Sequence, residues 1–163
     1  MIDVWEFAKQ IEVEGKKYYE KLAQDSAIGE LSGVFSFLAS EEQHHWEIFD
    51  SMQNGLKTPE LKQSDAIGDA KSAFEKLSRQ FDMPEVIEDP ETVYSKALDL
   101  EHKSIDLYQD ALPKAETDEQ KAAIEFIIQQ EKKHARIVEA IMEFVRRPKE
   151  WLEDAEWYHL DKY

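Results

Sequence analysis

Residues 1–54 align with residues 90–143 at one offset of 89, without a gap, and the polar residues that coincide interrupt otherwise apolar stripes. Glu12 falls on Glu101, Tyr19 on Tyr108, Glu42 on Glu131 and His45 on His134. The apolar positions agree in kind: Ala8 with Ala97, Phe35 with Ile124, Leu38 with Ile127, Phe49 with Val138, Met52 with Ile141. A shared offset over so many positions indicates two copies of one supersecondary unit, which bury their apolar faces against each other.

The hydrophobic period within each copy is helical. Trp5, Ala8, Gly15, Tyr19 and Leu22 step by three or four residues, and so do Leu31, Phe35, Leu38, Phe49 and Met52. Asp25-Ser26 marks a turn between these stripes, and Asn54-Gly55 a helix stop. In the second copy, Asp89-Pro90-Glu91 reads as a helix start, with Asp as cap and Pro in the first helical position. Tyr94, Ala97, Ile105 and Tyr108 follow; a break at Pro113–Asp118 precedes Ile124, Ile127, Ile128, Val138, Ile141 and Val145. The intervening link contains Thr58-Pro59 and Met83-Pro84, with a short helix expected around Asp65–Gln80. Short loops make antiparallel neighbours, while a link of this length can cross the bundle. The expected fold is all-α: a four-helix bundle of two antiparallel hairpins joined by a long crossover. The bundle is placed at 1–147, with an aromatic tail at 148–163 holding Trp151, Trp157, Tyr158 and Tyr163. That tail is expected to pack on the bundle or on a partner subunit.

Glu12 and Glu101 each sit within the buried stripe of their own helix. Glu42 with His45, and Glu131 with His134, interrupt theirs at i, i+3, so each pair projects from one face. Four carboxylates gathered in a low-dielectric interior cost several kcal/mol per ion unless compensated. Almost no Lys or Arg falls on these stripes. Two divalent cations would cancel four carboxylates, and two neutral imidazoles would complete the ligand set. The chain has no Cys, which excludes thiolate metal sites, disulfides and thiol nucleophiles.

Glu-x-x-His by itself is a weak signal, and this chain has four examples. Glu41/His44 lies one residue off the buried stripe, and Glu156/His159 lies in the tail. Both are read as structural or supporting pairs, and His102, pointing about 100° away from Glu101, is read the same way. The specific signal is the set Glu12, Glu42, His45, Glu101, Glu131 and His134, with the same 30-residue separation from Glu12 to Glu42 and from Glu101 to Glu131.

This constellation resembles the ferritin-like di-iron carboxylate proteins, and most closely the rubrerythrin family, which places one Glu on each of two helices and Glu-x-x-His on the other two. The resemblance spans residues 3–145. It is carried by Ile11-Glu12-Val13-Glu14-Gly15-Lys16-Lys17-Tyr18-Tyr19, by Leu38-Ala39-Ser40-Glu41-Glu42-Gln43-His44-His45, and by the repeats Glu101…Tyr108 and Glu131-Lys132-Lys133-His134. It implies metal ligation by the six residues named above, and a centre of two iron ions, with manganese as the alternative. Two departures matter. Rubrerythrins proper carry a Cys-ligated iron domain that a chain without Cys lacks, so the resemblance implies a separate electron-donor protein. They also carry a further Glu ligand one turn beyond the third-helix Glu, where this chain has Ser104.

The activity expected from the resemblance is a di-iron oxidoreductase that reduces hydrogen peroxide or O2. A ferroxidase or iron-handling protein, and a non-catalytic metal-binding or sensing module, are the alternatives; a plain acidic interaction bundle would hold no metal. Gly15 and Ser104, one turn from Glu12 and Glu101, either leave a small cavity over the metals or let helices pack closely. Tyr19 and Tyr108, two turns beyond those Glu, are candidates to hydrogen-bond the ligand carboxylates. Without metal, the four Glu are expected to have raised pKa values.

Thirty-six acidic against twenty basic residues give a net charge of −16, which disfavours nucleic acid and anionic membranes as partners. No apolar stretch approaches the ~20 residues of a membrane span. Met1-Ile2-Asp3-Val4-Trp5-Glu6 lacks a signal-peptide pattern, so a cytoplasmic location is expected. A homodimer is the default assembly.

Overall fold

The computed structural model describes residues 3–26, 28–80, 90–147, 151 and 160. They form five α-helices, and no strand occurs among the described residues. Helix α1 spans Val4–Asp25, α2 Gly29–Gln53, α3 Ala66–Gln80, α4 Pro90–Ala111 and α5 Asp118–Arg146, with a 3-10 turn at Leu112–Lys114. The boundaries have local causes. Asp3 caps α1 by accepting from the Trp5 backbone N–H at 3.2 Å, and Thr117 caps α5 by accepting from that of Gln120 at 3.1 Å. Asp118 and Glu119 in the first turn of α5 complement the helix dipole. Beyond α2, Gly55 takes φ +64°, the left-handed conformation that ends a helix at little cost only for glycine. Helix α4 begins at Pro90, as its sequence predicts; the expected cap, Asp89, lies outside the described residues.

Helix α1 packs on α2 and α4 on α5, giving two hairpins, and α1 also contacts α4 across the bundle. The crossover helix α3 lies against α2 and α5. There Phe74 meets Phe144 and Trp151 edge-on, with ring centroids 5.6 and 5.7 Å apart. Trp151 and Leu160 are buried in the same cluster. The other aromatic tail positions, Trp157, Tyr158 and Tyr163, and the pair Glu156/His159 lie outside the described residues.

The core is divided in two. One apolar cluster contains Tyr19, Leu22, Phe35, Leu38, Tyr94, Ala97, Val138 and Ile141. The other contains Ala8, Ile48, Phe49, Met52, Tyr108, Ile124, Ile127 and Ile128. Each of the four long helices contributes to both clusters and carries its buried Glu or Glu/His pair between them. Glu12 lies between Ala8 and Tyr19, Glu42 and His45 between Leu38 and Ile48, Glu101 between Ala97 and Tyr108, Glu131 and His134 between Ile128 and Ile137. A polar layer therefore crosses the bundle with hydrophobic packing above and below it. Fully buried Phe35, Phe49, Phe74 and Phe144 contribute about 2–3 kcal/mol each. Burial on that scale can hold four carboxylates in place at several kcal/mol apiece.

Candidate metal centre

The six sequence-predicted ligand residues meet in this layer. Glu12, Glu42, His45, Glu101, Glu131 and His134 are each at most 3 % exposed. They form two overlapping groups whose ligand atoms lie within 4.8 Å of one another: Glu12, Glu42, His45 and Glu131, and Glu42, Glu101, Glu131 and His134. Glu42 and Glu131 belong to both groups, which is the arrangement two bridging carboxylates require.

The halves of the repeat complete each other. The Tyr19 hydroxyl on α1 donates to Glu101 on α4, and the Tyr108 hydroxyl on α4 donates to Glu12 on α1. Nδ1 of His45 lies 3.0 Å from Glu131 and 3.5 Å from Glu12. Nδ1 of His134 lies 3.1 Å from Glu42 and 3.4 Å from Glu101. The imidazoles stack with centroids 5.8 Å apart. Burial pushes both tyrosine pKa values well up, and the facing carboxylates, Glu101 for Tyr19 and Glu12 for Tyr108, push them further. Both hydroxyls therefore stay protonated and remain donors.

The outer nitrogen of each imidazole has its own partner. Nε2 of His134 faces the Glu41 carboxylate, and Nε2 of His45 faces the Gln130 side-chain oxygen. Both partners are acceptors, so both Nε2 atoms carry the proton and Nδ1 is the nitrogen presented to the cluster. Glu41, a supporting rather than ligating residue by its place in the sequence, stands behind His134. Gln130 was missed. The repeat offset pointed to it, since Glu41 plus 89 is 130.

In the metal-free fold, charge is relieved unevenly. Burial and the nearby Glu42 and Glu131 carboxylates raise the pKa of Glu12 and Glu101 well above the ordinary carboxylate range. Glu131 departs from the expectation for all four. Burial would raise it, but hydrogen bonding from Glu101 and the facing His45 and His134 hold it well below the usual range. Burial would lower both histidines, yet they are raised well above the ordinary imidazole value, by Glu12 and Glu131 at His45 and chiefly by Glu101 at His134. Protons thus collect on the imidazoles as well as on the outer carboxylates. Burial would also raise Glu41, but the hydrogen bond from His134 and that imidazole's charge hold it low.

The donor set fits a pair of metal ions. One oxygen each of Glu12, Glu101 and Glu131 is buried without a hydrogen-bond partner. Such orphaned acceptors are costly, and a cation satisfies them. Four carboxylates and two imidazoles are a donor set for two divalent metal ions.

A small cavity adjoins the cluster, lined by Gly15, Tyr18, Tyr19, Glu42, Leu100, Glu101 and Ser104, with about 10 Å³ open to the centre of a water-sized molecule. That is room for about one water molecule. A Cβ at Gly15 would lie 3.4 Å from Cδ of Glu42, an ordinary van der Waals contact, so helix packing does not itself require glycine there. Ser104 is buried, and its hydroxyl donates to the Leu100 carbonyl at 2.9 Å, bonding within its own helix. His44 is part-exposed, with Nδ1 3.9 Å from Glu47, and His102 is exposed; neither joins the ligand groups.

A rubrerythrin family model matches residues 3–142, which includes α1, α2, α4, all but the last turn of α5 and every member of the cluster. The chain belongs to the rubrerythrin family. Neither the curated proteins nor the solved structures gave a match. Within this rubrerythrin domain the absence of Cys leaves no ligands for a rubredoxin-type iron in the chain. No helix among the described residues is long and apolar enough to cross a membrane.

Proposed function

We propose that this rubrerythrin-family chain is a di-iron oxidoreductase that reduces hydrogen peroxide or O2 with electrons from a donor outside the chain. The observation that supports it best is the pair of overlapping Glu/His groups beside a small cavity. A pair of iron ions bound there supplies two electrons, which with two protons reduce one hydrogen peroxide to two waters.

The residues of this chain do the rest. Glu42 and Glu131 would be shared by the two ions, and Glu12 and Glu101 would each hold one. His45 and His134 would offer Nδ1, with Nε2–H held by Gln130 and Glu41. Tyr19 and Tyr108 hold Glu101 and Glu12 by hydrogen bonds, and Gly15 and Ser104 keep space open for the oxidant. The two apolar clusters hold the polar layer between them.

A second reading, iron handling by ferroxidase activity, draws on Ser104. Ser104 stands where rubrerythrins place a seventh carboxylate, and its hydroxyl bonds within its own helix to the Leu100 carbonyl. Elemental analysis of the natively purified protein, followed by turnover assays with a chemically reduced donor, separates the readings. Repeated consumption of hydrogen peroxide or O2 without added Fe(II) supports the oxidoreductase. Oxidation only in proportion to added Fe(II) favours the second reading, and a single reaction or none would leave a binding module.

A further inference from the structure

The ligand groups are alike; what lies behind their imidazoles is not. Each group offers three carboxylates and one imidazole, and two of the carboxylates are common to both. Behind His134 stands the buried carboxylate of Glu41, 7 % exposed, whereas behind His45 stands the neutral amide of Gln130, 3 % exposed. These residues occupy equivalent places in the repeat, so the helices present them with matching geometry. The difference between them is one negative charge in the interior.

We infer, on the di-metal reading of this site, that Glu41 and Gln130 are positioning residues that make the two metal positions unequal, the His134 position binding a divalent ion more tightly than the His45 position. A carboxylate accepting the imidazole N–H makes a charge-assisted hydrogen bond, roughly twice as strong as one to a neutral acceptor. It increases the electron donation of Nδ1 toward a bound cation, and it adds a buried negative charge near that cation. Partners of this kind alter metal affinity by about 10–100-fold when substituted. The Gln130 amide orients His45 without adding charge. The outcome is a site with twofold geometry and unequal chemistry.

The test is anaerobic titration of the chelated full chain with Co(II), followed by calorimetry and by the visible absorption of the bound ion. The unsubstituted chain is expected to take up two Co(II) in two resolved steps, and His134→Ala should abolish the tighter one. Glu41→Gln should weaken the tighter step by about tenfold, bringing the two together. Gln130→Glu should strengthen the weaker step by a similar factor. In the double exchange Glu41→Gln with Gln130→Glu the two steps should separate again, with His45→Ala now abolishing the tighter one. That reversal is a signature a merely structural role would not produce. Two equal steps in the unsubstituted chain, or steps that neither single exchange moves, would overturn this inference and leave the di-metal reading intact. Uptake of fewer than two Co(II) by the unsubstituted chain would overturn both.

Discussion

The hydroxyl of Tyr19, on the first helix, donates to Glu101, on the fourth, and so holds a carboxylate that belongs to the other copy of the repeat. Its counterpart, Tyr108, returns the same bond to Glu12. The polar layer is thus braced across the interface between hairpins rather than within either one. Removing a hydroxyl leaves a buried carboxylate oxygen without its donor, at a cost of about 1–3 kcal/mol. Tyr19→Phe and Tyr108→Phe are each expected to lower the melting temperature of chelated protein by similar amounts. Calorimetry checks this; an unchanged melting temperature in both would show that the bonds contribute nothing to stability.

Shared and unshared carboxylates should differ in their effect on metal content. Glu42 and Glu131 belong to both ligand groups, while Glu12 and Glu101 belong to one each. Glu42→Ala and Glu131→Ala are expected to reduce bound metal to one ion or fewer per chain, and Glu12→Ala or Glu101→Ala to spare one position. Elemental analysis of purified variants measures this directly. Two ions retained in Glu42→Ala or Glu131→Ala would remove that residue from the ligand set.

His44→Ala and His102→Ala should retain both ions, since the one is part-exposed beside Glu47 and the other is exposed. Loss of metal from His44→Ala, with retention in His45→Ala, would mean that α2 is rotated by one residue from the register described.

The metal-free fold should lose stability as pH rises. The raised carboxyls of Glu12 and Glu101 make the folded chain bind more protons than the unfolded one above the ordinary carboxylate value, so stability falls as pH climbs through that window. The raised imidazoles of His45 and His134 act in the same direction: their contribution is complete below the ordinary imidazole value and disappears as pH passes their folded values. Glu131, held low, contributes above the ordinary carboxylate value and loses that contribution only in strong acid. Chelated protein should therefore melt lower at about pH 8.5 than at about pH 5.5. Metal binding displaces protons from Nδ1 of both histidines, so affinity should rise with pH and the loaded protein should be the most stable form at about pH 8.5. Melting series with and without chelator test this, and identical curves would show that the four carboxylates are not gathered at one site.

Much of this was legible in the chain. Buried Glu on an apolar stripe is rare enough that two copies of it, in register at one offset, located the cluster before any helix was placed. The caps Asp3 and Thr117 emerged only in the structure, whereas breaking residues such as Asn54-Gly55 and Pro90 act on the residues next to them, so those helix bounds followed from local chemistry. The crossover helix, expected at Asp65–Gln80, lies at Ala66–Gln80 for the same reason.

What periodicity could not supply is which side chain faces which across the bundle. A stripe determines the face of its own helix, but not the partner at a given height on another helix. Hence the pairing of His134 with Glu41 and of His45 with Gln130 emerged only once α2 and α5 were packed together. The same reason governs protonation. All four Glu occupy similar stripes in sequence, yet Glu131 faces both imidazoles and is held low, while Glu12 and Glu101 face other carboxylates and are raised. The sequence by itself determined that charge would be buried at this layer of the bundle. Only the tertiary structure decided how that charge is shared, because electrostatic energy depends on distances between helices that no single helix contains.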